Sequence, residues 1–157
     1  MDVEKTMRQY LPQVVHMSLA TTKDGKPWVC EVHFAYDEDL NLYFRSLTSR
    51  RHSQEIATNP NVAGNMAIQC AIGEPCKGVV DFEGTATRLL PGPEQGKAFA
   101  CIKERLGLGD EILEEAQRED GHQFYKITVD NWCVFGKFDG DKALKYELAW
   151  GKQADGK

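Results

Sequence analysis

Residues 14–36 read VVHMSLATTKDGKPWVCEVHFAY, and the fold turns on how they are parsed. A β-run, VVHMSLATT, leads into Lys23-Asp24-Gly25-Lys26 and a second β-run, PWVCEVHFAY. Two such runs flanking an Asp-Gly pair are a strong short-range signal for a hairpin, because a type I′ turn needs positive φ at both central residues. In the second run Val29 and Val32 do not share one face of a regular strand. That strand is therefore expected either to be mostly buried on both sides or to be interrupted by a bulge.

Outward from the hairpin, Asp37-Glu38-Asp39 makes a turn, read as solvated, and Asn41 to Ser46 gives a third strand of an antiparallel meander. A polar stretch follows, then a short helix around Ser53 to Thr58 that Asn59-Pro60 stops. NVAGNMAIQCAI (61–72) is read as strand four and VVDFEGTATRLL (79–90) as strand five, with Gly84 marking a bulge or a close backbone approach. Ala98, Ile102 and Leu106 recur at helical spacing over residues 93–107, closed by Gly107, and a more acidic helical piece covers 110–120. QFYKITVDNWCVFGKF (123–138) returns to β alternation, and KALKYELAW precedes a polar tail, 151–157. Before the hairpin, Val3, Met7, Tyr10 and Leu11 predict a short amphipathic helix lying as a lid on something larger. The expectation is a single domain over 1–150, α+β but mainly β, built on a six-stranded, mostly antiparallel barrel with flanking helices.

Composition narrows the function. The 157 residues are 41% hydrophobic and 27% charged, which suits one soluble domain. No apolar run approaches the roughly 18 residues of a membrane span, and the opening MDVEKTMRQY lacks a secretion signal, so a cytoplasmic protein without membrane partners is expected. Nineteen basic against 24 acidic residues, a net charge of −5, argue against a generic nucleic-acid binder, which needs excess positive charge. Cys30, Cys70, Cys76, Cys101 and Cys133 contain no C-x-x-C pair and read as reduced thiols, four of them as small core residues. His16, His33, His52 and His122 show no short ligand spacing, so no metal site is expected.

Against that acidic background, FRSLTSRRHS (44–53) concentrates Arg45, Arg50, Arg51 and His52 with Ser46, Thr48, Ser49 and Ser53 between a strand and a helix start. Hydroxyls, free N–H groups at a helix N-terminus and forked guanidinium donors together suit a phosphate. The alternative is a solvated basic loop with a Ser N-cap.

The order LATTKDGKPWVCEVHFAYDEDLNLYFRSLTSRRHSQEIATNPNVA resembles the flavin-binding split barrels related to pyridoxamine 5′-phosphate oxidase, and FEGTATRLL and KITVDNWCVF resemble that family's later core strands. The resemblance spans roughly Val14 to Trp150. It implies a six-stranded antiparallel split β-barrel with Greek-key-like topology and an FMN site. In that site Ser49, Arg50, Arg51 and His52 match the phosphate loop, Arg45 and Ser46 flank the ribityl chain and phosphate, and Trp28, Val29, Cys30, Glu31 and Val32 match the strand whose backbone meets the isoalloxazine edge. The family's Arg-Lys pair falls on either Arg50-Arg51 or Arg51-His52. The oxidase itself ends in an arginine-rich segment with R-L-x-P, whereas this chain ends YELAWGKQADGK, so the resemblance points to the uncharacterised and general-stress branches rather than to vitamin B6 oxidation.

The resulting expectation is an FMN-dependent oxidoreductase acting on an unknown small molecule, with Glu31 and His33 the ionisable groups nearest the ring. The alternative is a non-catalytic flavin-binding or redox-sensing module, with deazaflavin F420 as the other cofactor. A haem version would need an axial histidine, and none follows His122. The resemblance further implies a C2 homodimer with the flavin cleft between subunits, Trp132, Phe135 and Trp150 standing as interface, cleft-wall or core aromatics.

Overall fold

The computed structural model describes residues 2–139 and 142–151; residues 152–157 of the expected tail lie outside the described residues. The chain forms α1 (Val3–Tyr10), a 3-10 turn (Leu11–Gln13), β1 (His16–Lys23), β2 (Lys26–His33), β3 (Ala35–Tyr36), β4 (Leu42–Ser46), α2 (Arg51–Thr58), β5 (Asn61–Ala67), β6 (Val79–Arg88), α3 (Pro93–Leu106), α4 (Glu111–Glu115), β7 (Gln123–Asp139) and β8 (Lys142–Ala149). One antiparallel sheet runs β2-β1-β5-β6-β7-β4-β3, with β8 also paired to β7. The sheet curls into a half-barrel, so that β2 meets β4 across its open side. No described helix is long and apolar enough to cross a membrane.

Among the described residues the strands number eight rather than the expected six, for two physical reasons. The second β-run breaks at Phe34, whose ring is fully buried, leaving β2 on one sheet edge and β3 on the other. KALKYELAW, expected only as the end of the ordered chain, pairs along Asn131–Asp139 of β7, the edge that β4 leaves free beyond Ile127.

The hairpin forms as read, with Lys23 opposite Lys26 and Asp24 and Gly25 at φ 51° and 72°. Its second strand is not buried on both sides. Because β2 pairs only with β1, it is an exposed edge, and Val29 is 59% accessible. The doubly buried strand is instead β4. Leu42 and Phe44 face the main core with Met17, Leu19, Ile127 and Trp132, while Tyr43 faces a second cluster with Ala98, Ile102, Ile112 and Phe124 under α3 and α4. At Gly84 the ladder with β7 shifts register, and a Cβ there would overlap the carbonyl oxygen of Thr128, so bulge and close approach coincide.

Three further expectations are corrected. Asp37 is not solvated: its buried carboxylate accepts from the backbone of Asp39 (3.0 Å) and Asn41 (2.9 Å) and from Tyr43 Oη (2.8 Å), and pairs with Lys97 at 3.1 Å. Burial alone would raise its pKa, but the hydrogen bonds from Asn41, Tyr43 and Lys97 hold it below the usual range. Only Cys133 is a core thiol; Cys30 and Cys101 are half-buried, and Cys70 and Cys76 lie exposed on the β5–β6 connection. Helix α1 buries Met7 in the main core rather than covering a site.

The α3–α4 insert is pinned to the sheet by Arg105. Its Nε donates to Phe34 O (3.0 Å) and its Nη2 to Leu11 O (3.1 Å) and Val14 O (2.5 Å), while the guanidinium covers the rings of Phe34 and Tyr36.

Candidate functional site

Where β2 meets β4 across the open side of the sheet, a cleft of about 620 Å³ opens between β2, the β4–α2 junction and the insert. From β2 come Trp28, Cys30, Glu31, Val32 and His33; from β4 and the junction, Arg45, Ser46, Arg50, Arg51 and His52. Of the residues singled out on β2 and in the stretch 44–53, Val29, Thr48, Ser49 and Ser53 do not line it. Val29 alternates onto the outer face of β2, and Ser49 lines a separate hollow with Glu119 and Asp120. Trp28, Cys30 and Val32 enter the cleft because their register partners Thr21, Leu19 and Met17 are all buried on the concave face.

Helix α2 starts at the cleft mouth. Arg50 is its N-cap, extended and without a side-chain cap bond, so first-turn N–H groups are left without intrahelical acceptors. The exposed Arg50 side chain has no ion pair among the described residues. The Arg51 guanidinium lies 4.2 Å from the centroid of the Trp28 ring, and its Nε donates to Glu55 at 2.8 Å. Glu55 also accepts from Thr21 Oγ1 at 2.5 Å, and these two donors hold the buried carboxylate below its usual pKa. Arg51 is therefore a cation fixed through Nε, and its terminal nitrogens make no ion pair among the described residues.

His52 has a different part from the phosphate contact expected of it. It is buried, with Nε2 2.7 Å from Ser46 Oγ and Nδ1 3.3 Å from Cys30 Sγ. Burial, and then the charge of Arg50, lower its pKa, while burial, Glu31 and Glu55 raise that of Cys30. These directions favour the neutral imidazole and the thiol, and the geometry closes if the thiol donates to Nδ1 and Nε2–H donates to Ser46. The imidazole thus ties β2 to β4 across the base of the cleft and has no ring nitrogen to spare.

The remaining wall was not legible in the sequence. The insert contributes Ile102, Leu106, Leu108 and His122. The apolar stripe of α3 was visible as a stripe, but nothing in the sequence said that its last turn would face β2. His122 donates Nδ1 to Glu115 Oε1 at 2.6 Å, and its backbone N–H donates to the same atom at 3.1 Å; Arg45 Nη2 bonds the other carboxylate oxygen. Burial pushes the Glu115 pKa up, but the bonds from His122 and Arg45 outweigh it and bring it down to about 2. Arg45 Nε is buried and has no acceptor among the described residues.

The expected aromatics separate. Trp132 is fully buried in the main core and can be neither interface nor cleft wall, Phe135 is half-buried, and Trp150 packs on the core with its Nε1 donating to Asp39 O at 3.0 Å.

No curated protein matches the chain by sequence. Solved structures do match its fold. A heme binding protein from Mycobacterium smegmatis superposes at TM-score 0.74 and 17% identity, covering 93% of this chain and 58% of that one. The heme storage protein HutZ from Vibrio cholerae gives 0.67 and 18%, covering 82% and 91%. A putative pyridoxamine 5′-phosphate oxidase from Listeria innocua gives 0.62 and 17%, covering 83% and 96%. The sequence profile described as Pyridoxamine 5′-phosphate oxidase matches residues 3–134. With that match over most of its length and the curled antiparallel sheet beneath it, the chain belongs to the pyridoxamine 5′-phosphate oxidase family.

Proposed function

We propose that the cleft holds FMN and that the protein is an FMN-dependent oxidoreductase acting as a homodimer. The observation that carries this reading is the Arg50-Arg51 pair at the open N-terminus of α2, facing an otherwise largely apolar cleft. Two guanidinium groups and unpaired first-turn N–H groups suit a phosphate dianion, and the orphaned, buried Arg45 Nε calls for one more acceptor inside the same space. Bound there, FMN would supply two-electron or one-electron transfer that no side chain of the cleft can perform.

The chain's own residues hold, orient and shield. Arg50 and Arg51 bind the phosphate, the Arg51–Glu55–Thr21 chain fixes the second of them, and His52 sets the spacing of β2 and β4. Ile102, Leu106 and Leu108 exclude water from the insert side. F420 fits less well, because its longer anionic tail needs further cations, and Arg45, Arg50 and Arg51 are the cations that line the cleft among the described residues. The exposed edge of β2, with Trp28 and Val29 41% and 59% accessible, is the face a second subunit would cover.

The test is the absorption spectrum of the purified protein with mass identification of what heat releases, followed by anaerobic NAD(P)H. Flavin bands, released FMN and bleaching support the reading. A Soret band would move the chain to the haem side of its structural neighbours, released F420 would replace the cofactor, and bound FMN that NAD(P)H leaves oxidised would reduce the protein to a carrier. A monomeric mass at full flavin occupancy would overturn the dimer.

A further inference from the structure

The cleft holds a second polar feature that phosphate binding does not use. His122 reaches it from the segment between α4 and β7, with a side chain 43% accessible. Its Nδ1 is spent on Glu115, so Nε2 is the one ring nitrogen left, and no bond to it is formed among the described residues. The carboxylate behind it is unusually well fixed, receiving the ring N–H and backbone N–H of His122 on one oxygen and Arg45 on the other. A carboxylate bonded to one imidazole nitrogen sets the ring's tautomer and orientation and makes the opposite nitrogen a directed contact. The walls nearest in sequence to this nitrogen are apolar: Ile102, Leu106 and Leu108 of the same insert.

We propose that His122 is the recognition residue of a subsite for a flat, apolar ligand carrying a ring-borne hydroxyl, of the phenol class. The hydroxyl donates to Nε2, and the ring packs on the insert's aliphatic wall. This deepens the flavin reading and rests on it for calling such a ligand a substrate; the contact itself needs only the cleft. Arg45 holds the Glu115 carboxylate from the side of β4, so the acceptor that orients the ring is itself fixed.

4-Nitrophenol, titrated into the protein as purified, tests the subsite by quenching of tryptophan fluorescence and by its own phenolate absorption. The proposal expects binding to the wild type, roughly tenfold weaker binding in His122→Gln, as for loss of one hydrogen bond, and FMN affinity unchanged in that variant. Glu115→Gln, which weakens the acceptor that orients the ring, should weaken 4-nitrophenol binding without abolishing it. Imidazole NMR of the wild type gives a second readout that needs no variant: the His122 resonances move on adding 4-nitrophenol. No binding to the wild type, wild-type affinity in His122→Gln, or unmoved His122 resonances would each overturn the proposal. A protein that takes up no FMN yet binds 4-nitrophenol through His122 would overturn the flavin reading and leave the subsite standing.

Discussion

Replacing Arg51 by alanine removes two things that can be measured apart. The first is a phosphate donor. A charge-assisted bond contributes about 1.5 to 3 kcal/mol, but the Arg51 side chain is 49% accessible and its Nε is engaged by Glu55, which places the expected loss near the low end. FMN affinity should fall by roughly tenfold. The second is one of the two donors to the buried Glu55 carboxylate. Thr21 remains, so the fold should lose about 1 kcal/mol, and the loss should shrink in acid, because a carboxylate with a depressed pKa stabilises above its unfolded pKa and stops doing so as pH falls through its folded one. Titrating FMN by flavin fluorescence reads the first effect, and urea unfolding at pH 7 and at pH 4 reads the second. Arg51→Lys keeps a charge but cannot both stack on Trp28 and bond Glu55, so it should recover part of the FMN affinity and little of the stability. A folded Arg51→Ala protein that binds FMN within twofold of wild type would refute the phosphate assignment. Unchanged urea midpoints at both pH values would refute the structural role.

Arg105→Ala strips three backbone carbonyls of their donor and should cost about 2 to 3 kcal/mol in urea unfolding, with Arg105→Lys recovering only part. Gly84→Ala forces a methyl against the Thr128 carbonyl at the β6 bulge and should cost roughly 2 to 3 kcal/mol; a thermal midpoint equal to wild type would contradict that packing. Glu115, with a pKa near 2, stabilises the fold above about pH 4 and ceases to do so as pH falls toward 2, so the stability gap between wild type and Glu115→Gln should close over that window.

What could be read in the sequence was local. The Asp24-Gly25 turn, the bulge at Gly84 and the helix ended by Gly107 at φ 65° each depend on a backbone conformation that its own residues select, and each formed. The basic loop was legible for the same reason, since Arg45 through His52 are contiguous and most of them do line one cleft. Burial was harder. Val29 belongs to a strand whose apolar content looked like double burial, but strand order, which hydrophobic pattern does not encode, put β2 at the edge. Asp37 looked like a turn residue and is one, yet Lys97, far along the chain, makes it a buried anchor. His52 was weighed as a phosphate ligand because of its neighbours in sequence, whereas its partners are Cys30 and Ser46 on two different strands. His122 carried no signal, as nothing near it announces that Glu115 and Arg45 will meet behind its ring.

The three carbonyls gripped by Arg105 lie at the entry to the hairpin and at the break between β2 and β3, while the same helix supplies Leu106 to the cleft wall. Outward movement of the wall would therefore break the bonds to Leu11 and Val14 ahead of the first strand and to Phe34 beyond the second. Opening of the cleft and fraying of the amino-terminal segment are thus expected to be coupled, and amide exchange on either side of that joint should slow together when the cleft is filled. Protection of amides around Leu11 and Val14 would then report occupancy of the cleft from a distance.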